Sequence, residues 1–204
     1  MERSAFLERL RRRLGAEQRG LLADVPRPHM QRSRLDDARR VSLFAERLEA
    51  LGVSVEETTT LDAARRAVER LCAERGWAGI ACARSLRWPG IRARWVEEAK
   101  EAQFGLCAAE SGVADTGTVV LRHGGEARRG YSLLPPTTGF FVYRSDIVDC
   151  LGDVLRALDE EATEHPPCIT FVSGPSNTAD IAGVRCTGVH GPGEVFVWVI
   201  ACRE

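Results

Sequence analysis

Three uncharged, mostly apolar runs constrain this chain's fold more than any other feature. Ala78–Ala83 reads AGIACA, Cys168–Val172 reads CITFV and Val195–Cys202 reads VFVWVIAC. A short run that stays apolar at successive positions suits a strand buried on both faces, as in a parallel sheet covered by helices. Even VFVWVIAC is far too short to cross a bilayer, so no membrane span is expected. Segments of helical period alternate with these runs. Leu35–Leu51 places Val41, Phe44, Ala45 and Leu48 on one face, with Gly52 just past its end. Leu61–Cys72 turns Ala64, Val68 and Leu71 inward, and Asp146–Leu158 turns Ile147, Leu151, Val154, Leu155 and Leu158 inward. Trp95–Gln103 also reads as helix. Helix–strand alternation at both ends predicts an α/β fold with a mostly parallel sheet flanked by helices. In the middle, strand-like Phe104–Ala109, Val113–Asp115 and Thr118–Leu121 are separated by Gly112 and Gly117. That close spacing predicts hairpin pairing, and so a smaller antiparallel portion. Gly139–Tyr143 reads as a further strand.

The first fifty residues differ in character. Phe6, Leu7, Leu10 and Leu14 recur at helical spacing, and Pro26 and Pro28 interrupt the pattern within an irregular stretch. Arginine is also dense there, although lysines and arginines (28) nearly balance aspartates and glutamates (29) over the chain. We therefore expect an N-terminal helical arm over residues 1–50 and an α/β domain over 51–204. Arg11-Arg12-Arg13 sits among acidic residues with no aromatic interleaving, which fits a solvated helix face, and no nucleic-acid partner is expected. The start, MERSAFLERLRRRLG, lacks the long apolar stretch of a secretory signal. The seven cysteines include no C-x-x-C pair, and most lie in apolar runs as small buried side chains. A cytoplasmic protein without its own iron–sulfur cluster or structural zinc is expected. Lys100, the one lysine, stands among Glu97, Glu98 and Glu101 and gives no case for Schiff-base chemistry.

Three turns are rich in small and hydroxyl residues. After CITFV comes Ser173-Gly174-Pro175-Ser176-Asn177-Thr178-Ala179-Asp180. Read as a strand feeding a helix, it offers free backbone N–H groups to an anion, with hydroxyl and amide donors from Ser176, Asn177 and Thr178. A capped turn with no ligand uses the same residues. Asp115-Thr116-Gly117-Thr118 places a carboxylate beside a tight glycine approach, and Asp115 is a candidate base; an Asx-type connector is the plainer alternative. His190-Gly191-Pro192-Gly193-Glu194 adds a histidine that titrates near neutrality and a second candidate base, Glu194; a loop with an exposed histidine reads the same way. The three turns are expected to converge at one sheet edge and to hold a small anionic metabolite, with Arg129 or Arg185 as further cations. His29, His123 and His165 stand in loops flanked by Pro or Gly and have no Cys or carboxylate partner at ligand spacing, so no metal site is expected. Neither a P-loop nor a dinucleotide fingerprint is present. Arg129–Pro136, with its double proline, reads as a rigid connector.

Taken in order, ADTGTVV (114–120), SLLPP (132–136), Ile147-Val148 with Leu151, SGPSNTADI (173–181) and GVHGP (188–192) resemble the lactate-utilisation protein C group, the LUD domain. The resemblance covers roughly residues 75–202. It implies a fold similar to that of ribose-5-phosphate isomerase and the CoA transferases. It also implies a cluster-free subunit in the cytoplasmic oxidation of L-lactate to pyruvate, beside two iron–sulfur partner proteins. The chain departs from the family's usual arginine with Asn177, from its frequent glutamates with Asp115 and Ala182. Asparagine does not supply arginine's planar clamp on an anion. Fold kinship alone transfers no reaction. Two other readings stand beside this one: a stand-alone enzyme on a small phosphorylated or acyl-CoA-type metabolite, and a structural scaffold subunit.

Overall fold

The structure, a computed structural model, describes residues 8–9, 34–160, 168–178 and 186–203. Residues Leu35–Glu204 form one compact unit. Its centre is a six-stranded, wholly parallel sheet. The strands are β1 (Ser54–Thr58), β2 (Gly79–Cys82), β3 (Arg94–Val96), β4 (Phe104–Ala108), β7 (Thr137–Tyr143) and β12 (Glu194–Ile200). They stand side by side in the order β1-β12-β7-β4-β2-β3. A second sheet is formed by β5 (Ser111–Val113), β6 (Thr118–His123), β8 (Ile147–Val148) and β9 (Cys168–Val172), in the order β8-β5-β6-β9. There β6 runs antiparallel to both β5 and β9. The expected α/β class with a smaller antiparallel portion is what the chain forms.

Both faces of the parallel sheet are buried, which is why its strands read as unbroken apolar runs. On β12, Val195, Val197 and Val199 enter one core while Phe196, Trp198 and Ile200 pack toward the other. The first core is closed by helix α1 (Asp37–Ala50) through Val41, Phe44 and Leu48, together with Val119 and Leu121 of β6. The second is closed by helix α2 (Leu61–Arg75) through Ala64, Ala67, Val68 and Cys72. Asp36 caps α1 by accepting from the Arg39 N–H at 2.8 Å, and Thr60 caps α2 by accepting from the Ala63 N–H at 3.2 Å. Gly76, left-handed at φ 65°, ends α2.

Three local expectations are corrected. The charge pattern places residues 37–50 in the arm, yet Phe44 and Leu48 are fully buried in the α/β body, and the compact units divide between Arg34 and Leu35. Trp95–Gln103 is a strand end and a 3₁₀ turn (Ala99–Glu101), because Arg94–Val96 pairs with β2. Asp146–Leu158 is no single helix. Ile147-Val148 pairs with β5, and helix α4 (Leu151–Glu160) begins after it, with Val154 buried and Leu151 and Leu155 exposed. Between β6 and β7 lies the short helix α3 (Gly130–Leu133). The helical pattern at Phe6–Leu14 and the Pro26–Pro28 stretch lie essentially outside the described residues.

Candidate functional site

The three expected turns do meet. Thr118 Oγ1, at the head of β6, shares hydrogen bonds of 2.8 Å with both Thr116 Oγ1 and Ser173 Oγ. Ser176 N–H donates to the Pro192 carbonyl at 2.8 Å, and Gly188 N–H donates to the Ser176 carbonyl at 2.8 Å. The Ser173–Asn177 segment is thus bonded to the Asp115–Thr118 turn on one side and to the loop before β12 on the other. Gly193 N–H donates to the carbonyl of Pro136, just ahead of β7. The cluster therefore stands at the amino ends of β7 and β12, opposite the edge where parallel sheets open their ligand crevices.

The helix-start reading of this segment is corrected. Asn177-Thr178 is a short strand, β10, paired antiparallel with β11 (Cys186–Thr187). Asn177 Oδ1 accepts from Thr187 Oγ1 at 3.1 Å, and its Nδ2 donates to the Pro175 carbonyl at 3.1 Å. Backbone N–H groups that a helix start would leave open are engaged here: that of Ser176 is taken by Pro192. Asp180, Ala182 and Arg185 lie outside the described residues.

The two glycines explain the small-residue pattern. Gly117 has φ +60°, and a Cβ there would stand 2.7–2.8 Å from Arg47 and the Leu48 backbone of α1. Gly174 has φ +84°, and its Cβ would stand 3.0 Å from Leu51 at the end of α1. Both turns press their backbones against the same helix, so the crowding of small residues is a packing seam. The candidate bases are dispersed. Asp115 is half-buried, its N–H bonded to the Asp149 carbonyl at 3.1 Å. Glu194 accepts from Arg75 Nη2 of α2 at 2.6 Å and from Thr137 Oγ1 of β7 at 3.4 Å. His190 is exposed on its loop.

A different feature occupies the carboxyl edge. After β2 the chain moves outward to β3, whereas after β4 it moves the other way toward β7. Adjacent strands whose connections part in opposite directions leave a crevice between them, the usual ligand position in an open α/β sheet. Such a cavity is present, about 140 Å³ in volume, lined among others by Ala83, Leu106, Ala108, Leu121, Arg128 and Tyr131. The floor is apolar. Burial pushes the Cys82 thiol up to about 11, although Arg87 beside it pulls the other way. Burial likewise pushes Cys107 up to about 12. Both remain neutral thiols at physiological pH.

His123, the last residue of β6, lines this cavity. Its Nε2 lies 2.9 Å from Thr170 Oγ1. Burial holds its pKa below the ordinary histidine range, partly offset by a bond to the Ala127 backbone and reinforced by Arg129. It is a neutral, hydrogen-bonded ring that ties β6 to β9. Arg122 and Arg128 line the cavity, with Arg122 approaching Glu110 at 3.5 Å; outside the lining, Glu97 pairs with Arg87 at 3.1 Å and Arg84 at 3.4 Å, and Glu126 accepts from the Ser85 N–H at 3.2 Å. Arg128 lies close enough to Glu97 to lower its pKa, after the larger effect of the Arg87 hydrogen bond. A wider opening of about 450 Å³ lies under α4, but its charged groups are tied up locally, Asp146 with Arg203 and Asp153 with Arg156. Among the described residues no group of three or more His, Cys, Asp or Glu is placed to hold a metal, and no helix is long and apolar enough to cross a membrane.

Sequence reasoning misses this crevice because its location depends on strand order. Arg122, His123 and Arg128 come from β6 and the turn after it, while Ala83, Leu106 and Ala108 come from the ends of β2 and β4. The usable signal is the pair of apolar runs ending at Ala83 and Ala109, which mark two strand ends on one edge.

Comparison with known proteins fits this architecture. A Deinococcus radiodurans protein of the DUF162 family superposes with a TM-score of 0.62 at 21% identity, covering 82% of this chain and 99% of that one; at this identity it speaks for the fold alone. "Lactate utilization protein C" of Halalkalibacterium halodurans is 41% identical over 102 residues, which is 48% of this chain and 44% of that protein. The protein of the same name from Bacillus subtilis is 37% identical over 100 residues, 48% of this chain and 42% of that protein. The Escherichia coli protein YkgG is 35% identical over 115 residues, 55% of this chain and 50% of that protein. The chain spans about half the length of the curated relatives it matches. The family model of the LUD domain matches residues 83–200, a span that includes the crevice, the second sheet and β12. With more than half of its length matched in this way, the chain belongs to the LUD domain family.

Proposed function

We propose that this protein serves lactate utilisation, as the cluster-free member of a cytoplasmic complex that oxidises L-lactate to pyruvate beside two iron–sulfur proteins. The observation that carries this reading is the LUD match over 83–200 together with relatives named lactate utilization protein C at 37–41% identity. Oxidising a secondary alcohol to a ketone removes two electrons and two protons. The reaction therefore requires an electron acceptor, and the iron–sulfur partners fill that role in this reading. Seven cysteines without a C-x-x-C pair support placing the clusters on those partners.

The test is recovery of the tagged full-length chain from its native host grown on L-lactate. Two cysteine-cluster proteins are expected to co-purify in constant ratio. Recovery of the chain alone, under conditions where both proteins are expressed, would overturn the complex. Turnover of a phosphorylated or acyl-CoA-type metabolite by the isolated chain would instead support a stand-alone enzyme.

A further inference from the structure

We infer that strand β9 is the contact edge of a symmetric dimer, pairing antiparallel with the β9 of a second copy of this chain. An open sheet edge offers unpaired N–H and C=O groups to any extended chain, and folded proteins protect such edges by shortness, charge or proline. The other edges here are protected. β1 carries Glu56 and Glu57, β3 has three residues beginning with Arg94, and β8, β10 and β11 have two residues each. β9 is the exception: it bonds β6 on one side, ends its sheet on the other, and has five residues with no charge and no proline. Ile169, Thr170 and Val172 are β-branched and Phe171 is aromatic, the residue types that favour strand pairing.

The edge is self-complementary. The Val120 carbonyl is directed to β5, where it accepts from the Glu110 N–H at 2.8 Å. Alternation along β6 then turns Leu121 to β9, opposite Thr170, and so turns the backbone groups of Ile169 and Phe171 to the open side. The Ile169 carbonyl accepts from the Cys168 thiol at 3.8 Å, a weak bond that a backbone N–H displaces. A two-fold axis at Thr170 sets Ile169 of each copy opposite Phe171 of the other, and each such pair exchanges both backbone hydrogen bonds. The same register sets an aromatic ring against a β-branched side chain, a favourable cross-strand pair.

The surface beside the edge also fits a copy of itself. Ile169 and Phe171 pair with Arg122 and Val120 and share their face, the one toward α4, where Val120, Ile169 and Leu158 line the opening. Phe171 is 41% exposed and Leu155 of α4 is 52% exposed, so this side keeps apolar area that an abutting copy covers. Its charges are matched within one chain, Glu110 with Arg122, Asp146 with Arg203 and Asp153 with Arg156. A strongly charged partner finds no complement there, whereas a second copy meets no net like charge.

Sedimentation equilibrium of the full chain tests the pairing. The parent is expected to be a dimer at micromolar concentration. Phe171→Lys places a cation at an exposed position of the edge and should weaken dimerisation about tenfold or more, with the circular dichroism of the parent retained. Thr170→Cys tests the register separately. The two copies of position 170 form a non-hydrogen-bonded pair with Cα atoms about 4.5 Å apart, within the reach of a disulfide. Mild oxidation should therefore link the two introduced thiols, which peptide mapping distinguishes from the natural cysteines. A parent that stays monomeric up to millimolar concentration, a dimer that Phe171→Lys leaves unchanged, or the absence of that cross-link would each overturn the inference. Pairing of β9 with a different protein, while the chain alone stays monomeric, would overturn it as well.

Discussion

Gly117 shows how a motif can look like a binding loop and serve as a packing seam. Its φ is positive, and a Cβ added there would come within 2.7–2.8 Å of Arg47 and Leu48, which leaves no room for a side chain. Gly117→Ala should therefore cost about 2–4 kcal/mol of unfolding free energy, since a left-handed residue acquires a Cβ and overpacks against helix backbone. Urea denaturation measures this, and a loss below about half a kcal/mol would contradict the packing account. Thiol environments give a second expectation. Cys72 and Cys82 are buried, with pKa values pushed up to about 12 and about 11, while Cys186 and Cys202 are exposed. A thiol-reactive disulfide should modify Cys186 and Cys202 in the native protein and reach Cys72 and Cys82 only on unfolding, as peptide mapping would show. A third concerns pH. The folded state holds the His123 pKa below its unfolded value, so the unfolded chain binds more protons as pH falls through about 6.5. The ring's contribution is complete above that pH and declines below it, down to the folded pKa. His123→Gln should lose less stability than the parent between neutral and mildly acidic pH, and equal losses would exclude His123 as the responsible group.

Among the elements, α1 is the one whose allegiance the sequence conceals. The charge imbalance of the first fifty residues and the Pro26–Pro28 interruption point to a boundary at residue 50, but Phe44 and Leu48 sit in the main core at 0% exposure. Composition reports surface, and here the surface of α1 resembles the residues before it while its inner face belongs to the sheet. A chain beginning at residue 34 should fold cooperatively, because Leu35–Glu204 is a compact unit in itself. One beginning at residue 51 should not, since Val119, Phe140 and Val197 would lose their cover. Near-equal thermal midpoints for the two would contradict this placement. β12 is readable for the opposite reason: each of its faces feeds a separate core, so its apolar run is continuous. Trp95–Gln103 misleads because Glu97, Glu98, Ala99 and Lys100 are good helix formers, yet pairing of Arg94–Val96 with β2 decides the backbone there. The convergence of the three turns is legible in their small and hydroxyl residues. What they converge on is not, since no local pattern tells a glycine against a ligand from a glycine against a helix.

At the scale of the whole molecule, the two ends of β6 hold different features. Thr118 anchors the hydroxyl seam against α1, and His123 stands at the crevice, roughly 17 Å away at about 3.4 Å per residue along the strand. The strand order that brings Ala83, Leu106 and His123 together is a long-range property, so the crevice emerges only once the sheet is assembled. The seam fixes α1 to the sheet, while the crevice lies at the opposite, carboxyl edge. The central claim is the proposed role of the protein in lactate utilisation. Its most direct test is growth of the native host on L-lactate as sole carbon source after deletion of this gene, with complementation by the parent chain. The account predicts that deletion abolishes growth on lactate but not on glucose, and that the parent chain restores it. Normal growth of the deletion strain on lactate would contradict it.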